Sequence, residues 1–193
     1  MEEKPPTVVI VGRLDKNRRK GHAELIRSWR HVAAVVPKAR LLIVGDGPGL
    51  HELRREARDS GATDGIEFLG FVPEGEMEDL WARVDVCAMP SRGEGFGLVY
   101  VEAMRHGVPV VASIHDAASE VNVEGETGFN VDLDRPSELV ERLVYLLSQP
   151  DAARRIGKRG QERWAKHFRY SAFRARFRPI LAGFLSRGVT ALG

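Results

Sequence analysis

Residues 91–104, SRGEGFGLVYVEAM, place two carboxylates, Glu94 and Glu102, on either side of a glycine-rich helix start. Glycines at 93, 95 and 97 let backbone approach a ligand closely, and the free N–H groups of a first helical turn carry about half a positive charge toward an anion. Carboxylates cannot hold that anion, because they only accept hydrogen bonds. A vicinal diol, as on a ribose or a hexose, offers the two donors that one carboxylate can take. Phe96, Gly97 and Leu98 lie between the two acids and bring main-chain N–H groups to the same place. Phosphate and sugar hydroxyls held together describe a sugar nucleotide.

Such a site needs a scaffold that gathers loops at one edge. Short apolar runs alternate with amphipathic stretches, the pattern of a parallel sheet covered on both faces. The runs predict strands near Thr7 to Gly12, Arg40 to Gly45, Ile66 to Leu69, Val84 to Met89, Val108 to Ala112 and Gly128 to Val131. Helices are expected near Gly21 to Val36, Leu50 to Ser60, Glu76 to Arg83 and Gly97 to His106, then near Ser137 to Ser148, Asp151 to His167 and Tyr170 to Ser186. The fold class is α/β, a Rossmann-like doubly wound parallel sheet over residues 1–169, with 170–193 as a C-terminal amphipathic helix. Ligands of such sheets bind at the carboxyl ends of the strands. Every candidate motif falls in a loop at that edge.

Other loops there are weaker chemically. The turn Gly45 to Gly49 is followed by Leu50 where a dinucleotide fingerprint needs its third glycine, so it reads as a tight turn. No Gly-Lys-Ser/Thr occurs, which removes a Walker-type phosphate loop. Residues His115 to Glu120 are expected to form an Asx turn. Asp132 and Asp134 precede a helix, with Asp134 or Ser137 as the expected cap, and no His/Cys cluster has metal-ligand spacing.

The ordered set of Gly12-Arg13-Leu14, Lys20-Gly21, the Gly45-Asp46-Gly47-Pro48 turn, Gly70-Phe71-Val72-Pro73, the two glutamates and Gly107 to Ala112 resembles the C-terminal domain of retaining GT-B glycosyltransferases of family 4. The resemblance runs from Val8 to Phe168. It implies that this domain binds a nucleoside-diphosphate sugar, while a separate N-terminal domain, missing from these residues, binds a hydroxyl acceptor. It further implies that Arg13 and Lys20 neutralise the donor diphosphate, with Arg19 as the rival for the second position. Glu94 then meets the transferred sugar and Glu102 the ribose. The segment carrying Phe71 and Val72 lies at the base, although Phe71 as a core residue is an equal reading. Gly12, by its place beside Arg13, belongs to the same binding edge. The resemblance calls for no cofactor and no metal, since basic side chains and a helix N-terminus supply the charge.

Length agrees, for 193 residues make one domain and a two-domain enzyme of this type needs about twice as many. With 43% hydrophobic and 29% charged residues the chain has a globular composition and no run of about 18 apolar residues to span a bilayer. The single Cys87, inside an apolar run, fits a reducing compartment and a cytoplasmic location. Charge is uneven: from Arg163 onward there are seven Lys and Arg and no acid, against 22 basic and 27 acidic residues before it. Phe173, Phe177, Ile180, Leu181 and Phe184 recur there at helical spacing, with an interruption or a kink expected near Pro179. That tail packs on its own domain, docks on the missing N-terminal domain, or lies on the anionic inner face of a membrane. Nucleic acid is not indicated, because base-stacking motifs are lacking. The alternative to an enzyme is a nucleotide-sugar binding or sensing module without chemistry of its own.

Overall fold

The central strand explains the architecture. β1 (Thr7–Val11, TVVIV) has no polar face, and Val8, Val9 and Ile10 are fully buried. A strand of that kind must be covered on both sides, which a parallel sheet with helical crossovers achieves. The computed structural model describes residues 4–17 and 20–189, the last four of these as backbone alone. The chain runs from β1 through α1 (His22–Val35), β2 (Arg40–Val44), α2 (Leu50–Asp59), β3 (Ile66–Gly70), α3 (Glu74–Ala82) and β4 (Val86–Ala88). It continues through α4 (Leu98–Arg105), β5 (Val110–Ser113), α5 (Ala118–Val121), β6 (Gly128–Val131), α6 (Pro136–Ser148), α7 (Pro150–His167) and α8 (Tyr170–Val189).

All pairings are parallel, in the order β3-β2-β1-β4-β5-β6. This is the doubly wound arrangement expected, and it reverses direction between β1 and β4. Ligands of doubly wound sheets bind at such a reversal, beyond the carboxyl ends of the strands. α1 packs against α2 and α6, and α4 against α7. The fully buried Trp29, Leu25 and Ile26 of α1 and Leu143 of α6 fill the space beside the sheet, each such aliphatic side chain contributing about 1.5–3 kcal/mol by leaving water.

Several boundaries differ from the sequence expectation, each for a local reason. β4 is shorter than the Val84 to Met89 run because Val84 N–H is still bonded to Trp81 O at the end of α3, 3.3 Å, and Pro90 has no N–H to continue. β5 starts late because Val108 N–H bonds to Ala103 O of α4, 2.9 Å, before Pro109. α3 begins at Glu74, directly after Pro73. α6 is capped at neither Asp134 nor Ser137: Arg135 takes the cap position and Pro136 the first turn, where its missing N–H costs nothing. Asp132 Oδ1 instead accepts from Asp134 N–H at 2.9 Å.

α8 is continuous through Pro179 rather than interrupted. It contacts α7 and turns away from the sheet layers. Phe173, Phe177, Ile180, Leu181 and Phe184 are all exposed, and Phe173 stacks on Phe177 with centroids 5.5 Å apart. Arg176 anchors the helix by donating to the carbonyl of His167. Among the described residues those apolar side chains are not buried against the rest of the domain. No helix among them is long and apolar enough to cross a membrane.

Candidate functional site

Two glycines bring the loops after β1 and β4 together. Gly21, at the start of α1, has φ 87°, and a Cβ there would lie 2.4 Å from Pro90 O. Only glycine lets this backbone rest against the end of β4. Gly97, before the first turn of α4, has φ 81°, and a Cβ there would lie 2.1 Å from the Tyr100 ring. Tyr100 is buried and donates its hydroxyl to Met89 O at 3.0 Å, which ties the base of α4 to β4. Burial pushes the Tyr100 phenol far up, so it stays neutral.

The consequence of that approach is an ion pair between Lys20 and Glu94, 74 residues apart in sequence. Their side chains are 28% and 15% exposed, so the pair is largely shielded. The Glu94 backbone is held from behind, since Ala117 N–H donates to Glu94 O at 3.3 Å. Asp116 in turn accepts from Ala118 N–H at 2.8 Å, the expected Asx turn, which opens α5 within a stretch expected to be loop. Burial raises the Asp116 carboxyl above its ordinary range, opposed by hydrogen bonds from the Ala118 and Glu94 backbone and the Ser91 side chain, with the Glu94 charge adding to the rise.

On the other side of β1 lies a mostly apolar cavity of about 310 Å³. Gly12, Arg13, Phe71 and Val72 line it together with Val11, Val44, Gly45 and Met77. Phe71 is 77% exposed, which settles its two sequence readings against the core, while Val72 packs on the core from its edge. Arg13 is largely exposed and pairs with Asp15, 2.9 Å. The Gly45 to Gly49 turn supports this loop, as expected of a structural turn: Leu14 N–H donates to Asp46 O at 3.0 Å and Gly49 N–H to Leu14 O at 2.7 Å.

Glu102 sits half-buried on α4. Burial raises its carboxyl, the Glu74 charge at the start of α3 adds to this, and Arg105 opposes it. Phe96 and Leu98 are exposed beside Gly97, and Phe96 meets Phe168 edge-on with centroids 6.2 Å apart. Arg163 lies over the same Phe168 ring at 5.6 Å and donates to Val121 O at 2.8 Å. Apart from Glu102, which sits within α4, the proposed site residues lie in the loops after β1, β3 and β4 or at the start of α4. Arg19, the rival of Lys20, lies outside the described residues, as does Arg18.

Sequence reading missed three features. His22, the first residue of α1, is 3% exposed beside Gly12, with Nε2 unpartnered among the described residues. Burial, then the adjacent Lys20, lower it to about 4, with Asp15 opposing. Phe168 as the support of Phe96 had no local signal. Thirdly, His115, Asp132 and Asp134 converge with ligand atoms within 4.8 Å of one another. Their polar atoms are already engaged: Leu133 N–H donates to His115 Nε2 at 3.1 Å, Arg135 holds Asp132 at 3.2 Å, and Arg92 holds Asp134 at 2.6 Å. This network ties the loop after β4 to the one after β6.

Comparison with known proteins agrees with this geometry. The glycosyl transferases group 1 family matches residues 1–163. A GDP-mannose-dependent alpha-(1-6)-phosphatidylinositol monomannoside mannosyltransferase of Mycobacterium tuberculosis is 35% identical over 185 residues, covering 92% of this chain and 48% of the relative. The chain spans about half the length of the first curated relatives it matches. The crystal structure of Anabaena Alr3699/HepE with UDP and glucose superposes with a TM-score of 0.83 at 26% identity, over 93% of this chain and 49% of that one. The C-terminal domain of a group 1 glycosyl transferase (LpcC) of Francisella tularensis shares the fold, with a TM-score of 0.77 at 24% identity over 86% of this chain and 87% of that one. With the match over residues 1–163 the chain belongs to the glycosyl transferases group 1 family, and its doubly wound parallel sheet has the fold of a GT-B C-terminal domain.

Proposed function

We propose that this chain is the donor-binding half of a retaining glycosyltransferase that moves mannose from GDP-mannose to a hydroxyl acceptor. The observation that carries the reading is the meeting of Lys20 and Glu94 beside the start of α4, next to the cavity under Phe71. In this reading the base lies against Phe71 and Val72 and the ribose diol donates to Glu102. Arg13, Lys20 and the first N–H groups of α4 meet the diphosphate and stabilise the charge that develops as it leaves. Glu94 accepts from hydroxyls of the transferred sugar and favours positive charge at its anomeric carbon. Positive side chains and a helix end do the electrostatic work here, so the reading needs no divalent ion. GDP-mannose is chosen because the relative at 35% identity is named for it, whereas the neighbour holding UDP and glucose stands at 26%.

The acceptor wall would come from an N-terminal domain, and the exposed apolar side of α8 is offered to it. The arginines of α8 suit peripheral contact with an anionic membrane, and the reaction is placed in the cytoplasm. One wall binds donor, but transfer needs both reactants oriented, a contribution of about 7 to 11 kcal/mol.

Thermal unfolding and a transfer assay test this. GDP-mannose at a hundred times its Kd should raise stability by about 2.7 kcal/mol, which is about 5 to 10 °C for a domain of this size. UDP-glucose should raise it less. The chain alone should transfer no mannose to an added acceptor, and addition of an acceptor-binding domain in trans should restore transfer. No stabilisation by either donor would refute the donor reading. Donor binding with no transfer under any complementation would leave the sensing module as the function.

A further inference from the structure

The reading above gives Lys20 to the diphosphate and Glu94 to the sugar, and the structure joins these two side chains to each other. Both are mostly withdrawn from solvent. A shielded carboxylate that loses its partner is costly unless another donor replaces it. Three ligand states follow. Without nucleotide, each charge satisfies the other. With the sugar-loaded donor, phosphate takes Lys20 and sugar hydroxyls take Glu94, so both are satisfied again. With the spent nucleoside diphosphate, phosphate competes with Glu94 for the Lys20 ammonium and brings no hydroxyl for Glu94 to accept from in exchange. Ala117 N–H donates to Glu94 O and fixes the backbone from which that carboxylate extends.

We propose that the Lys20–Glu94 ion pair is a selectivity device: it discriminates the sugar-loaded donor from the spent nucleotide and draws Lys20 back once the sugar has left, which speeds product release. Neither residue could do this alone, because the penalty falls only on the ligand that satisfies one of them. The inference rests on the donor reading.

Calorimetry with GDP and GDP-mannose on the 193-residue chain tests it. Glu94→Gln should bind GDP about five- to tenfold more tightly than wild type, the coupling expected of side chains in direct contact. GDP-mannose should bind more weakly to the same variant. In the K20M background the GDP gain should fall below about twofold, the remainder being the general removal of a negative charge. Glu94→Asp, which keeps the charge but shortens the reach, should show a smaller gain for GDP and serves if the glutamine variant folds poorly. An equal GDP gain with and without Lys20 overturns the device, and so does parallel weakening of both ligands, which would make the pair a scaffold. Failure of the wild-type chain to bind either ligand overturns the donor reading itself.

Discussion

Acidification should unfold this domain through His22. The imidazole is 3% exposed at the first turn of α1, and burial together with Lys20 lowers it to about 4 against an ordinary value of 6.5. The unfolded chain therefore takes up its proton first as pH falls. Stability from this group is complete above about pH 6.5, declines as pH falls, and is fully lost below about pH 4. A gap of about 2.5 pH units is worth about 3.4 kcal/mol, and about 2 kcal/mol of it should be gone between pH 7 and pH 5. At 3% exposure water screens little of this, and a domain stable by about 5 to 15 kcal/mol would notice the loss. Urea unfolding at pH 7, 6 and 5 on wild type and His22→Leu measures it. Carboxylates contribute to both proteins, so the difference between the two slopes isolates the imidazole. Wild type should lose about 2 kcal/mol more than the variant over that range. Equal losses would mean that His22 is protonated in the folded state, and would undo the account of a neutral ring beneath Gly12.

Glu102→Ala should weaken GDP binding by about 1 to 3 kcal/mol through lost charge-assisted hydrogen bonds. In calorimetry 2′-deoxy-GDP should lose less to that substitution than GDP does, and equal losses would remove Glu102 from the ribose. Gly97→Ala should cost about 1 to 3 kcal/mol, because a Cβ at φ 81° must displace the buried Tyr100 ring. An unchanged melting temperature would refute that steric argument.

The sheet was legible because its inner strands are apolar on both faces, as in Val8 to Ile10 and Leu41 to Ile43, and such runs suit a parallel sheet covered on both sides. Their ends were not, since Val84 and Val108 look like strand residues but give their N–H groups to the preceding helices. α5 escaped because four residues carry no periodicity. Among site residues, Glu94 and Glu102 announce themselves through flanking glycines and a helix pattern in one segment. Lys20 was one basic residue among five in its loop, and what distinguishes it, the ion pair to Glu94, spans 74 positions. His22 follows Lys20 and Gly21 in a helix start and looks like any surface polar residue until Gly12 and Met89 are packed beside it. His115 and Asp132, 17 residues apart on separate strand ends, meet for the same reason. Residue type and local spacing carry the acids; only the fold carries their partners.

That partnership follows from the strand order. β1 is the one strand with β2 on one side and β4 on the other, and the reversal of winding occurs at its β4 side. Its outgoing loop must therefore serve two neighbourhoods. Gly12 and Arg13, at its beginning, stay with the β2 and β3 loops and line the apolar cavity. Lys20, at its end, crosses to the β4 loop, because Gly21 lies against Pro90. The two basic residues given to one diphosphate are thus supported by different walls. Arg13 pairs with Asp15 in its own loop, while Lys20 pairs with Glu94 across the reversal. In the proposed reading a ligand that spans both walls carries an apolar ring at one end, hydroxyls at the other and negative charge between them. Shortening it at the hydroxyl end leaves the first wall satisfied and the second in conflict, so affinity here should depend on ligand length more steeply than on contact area.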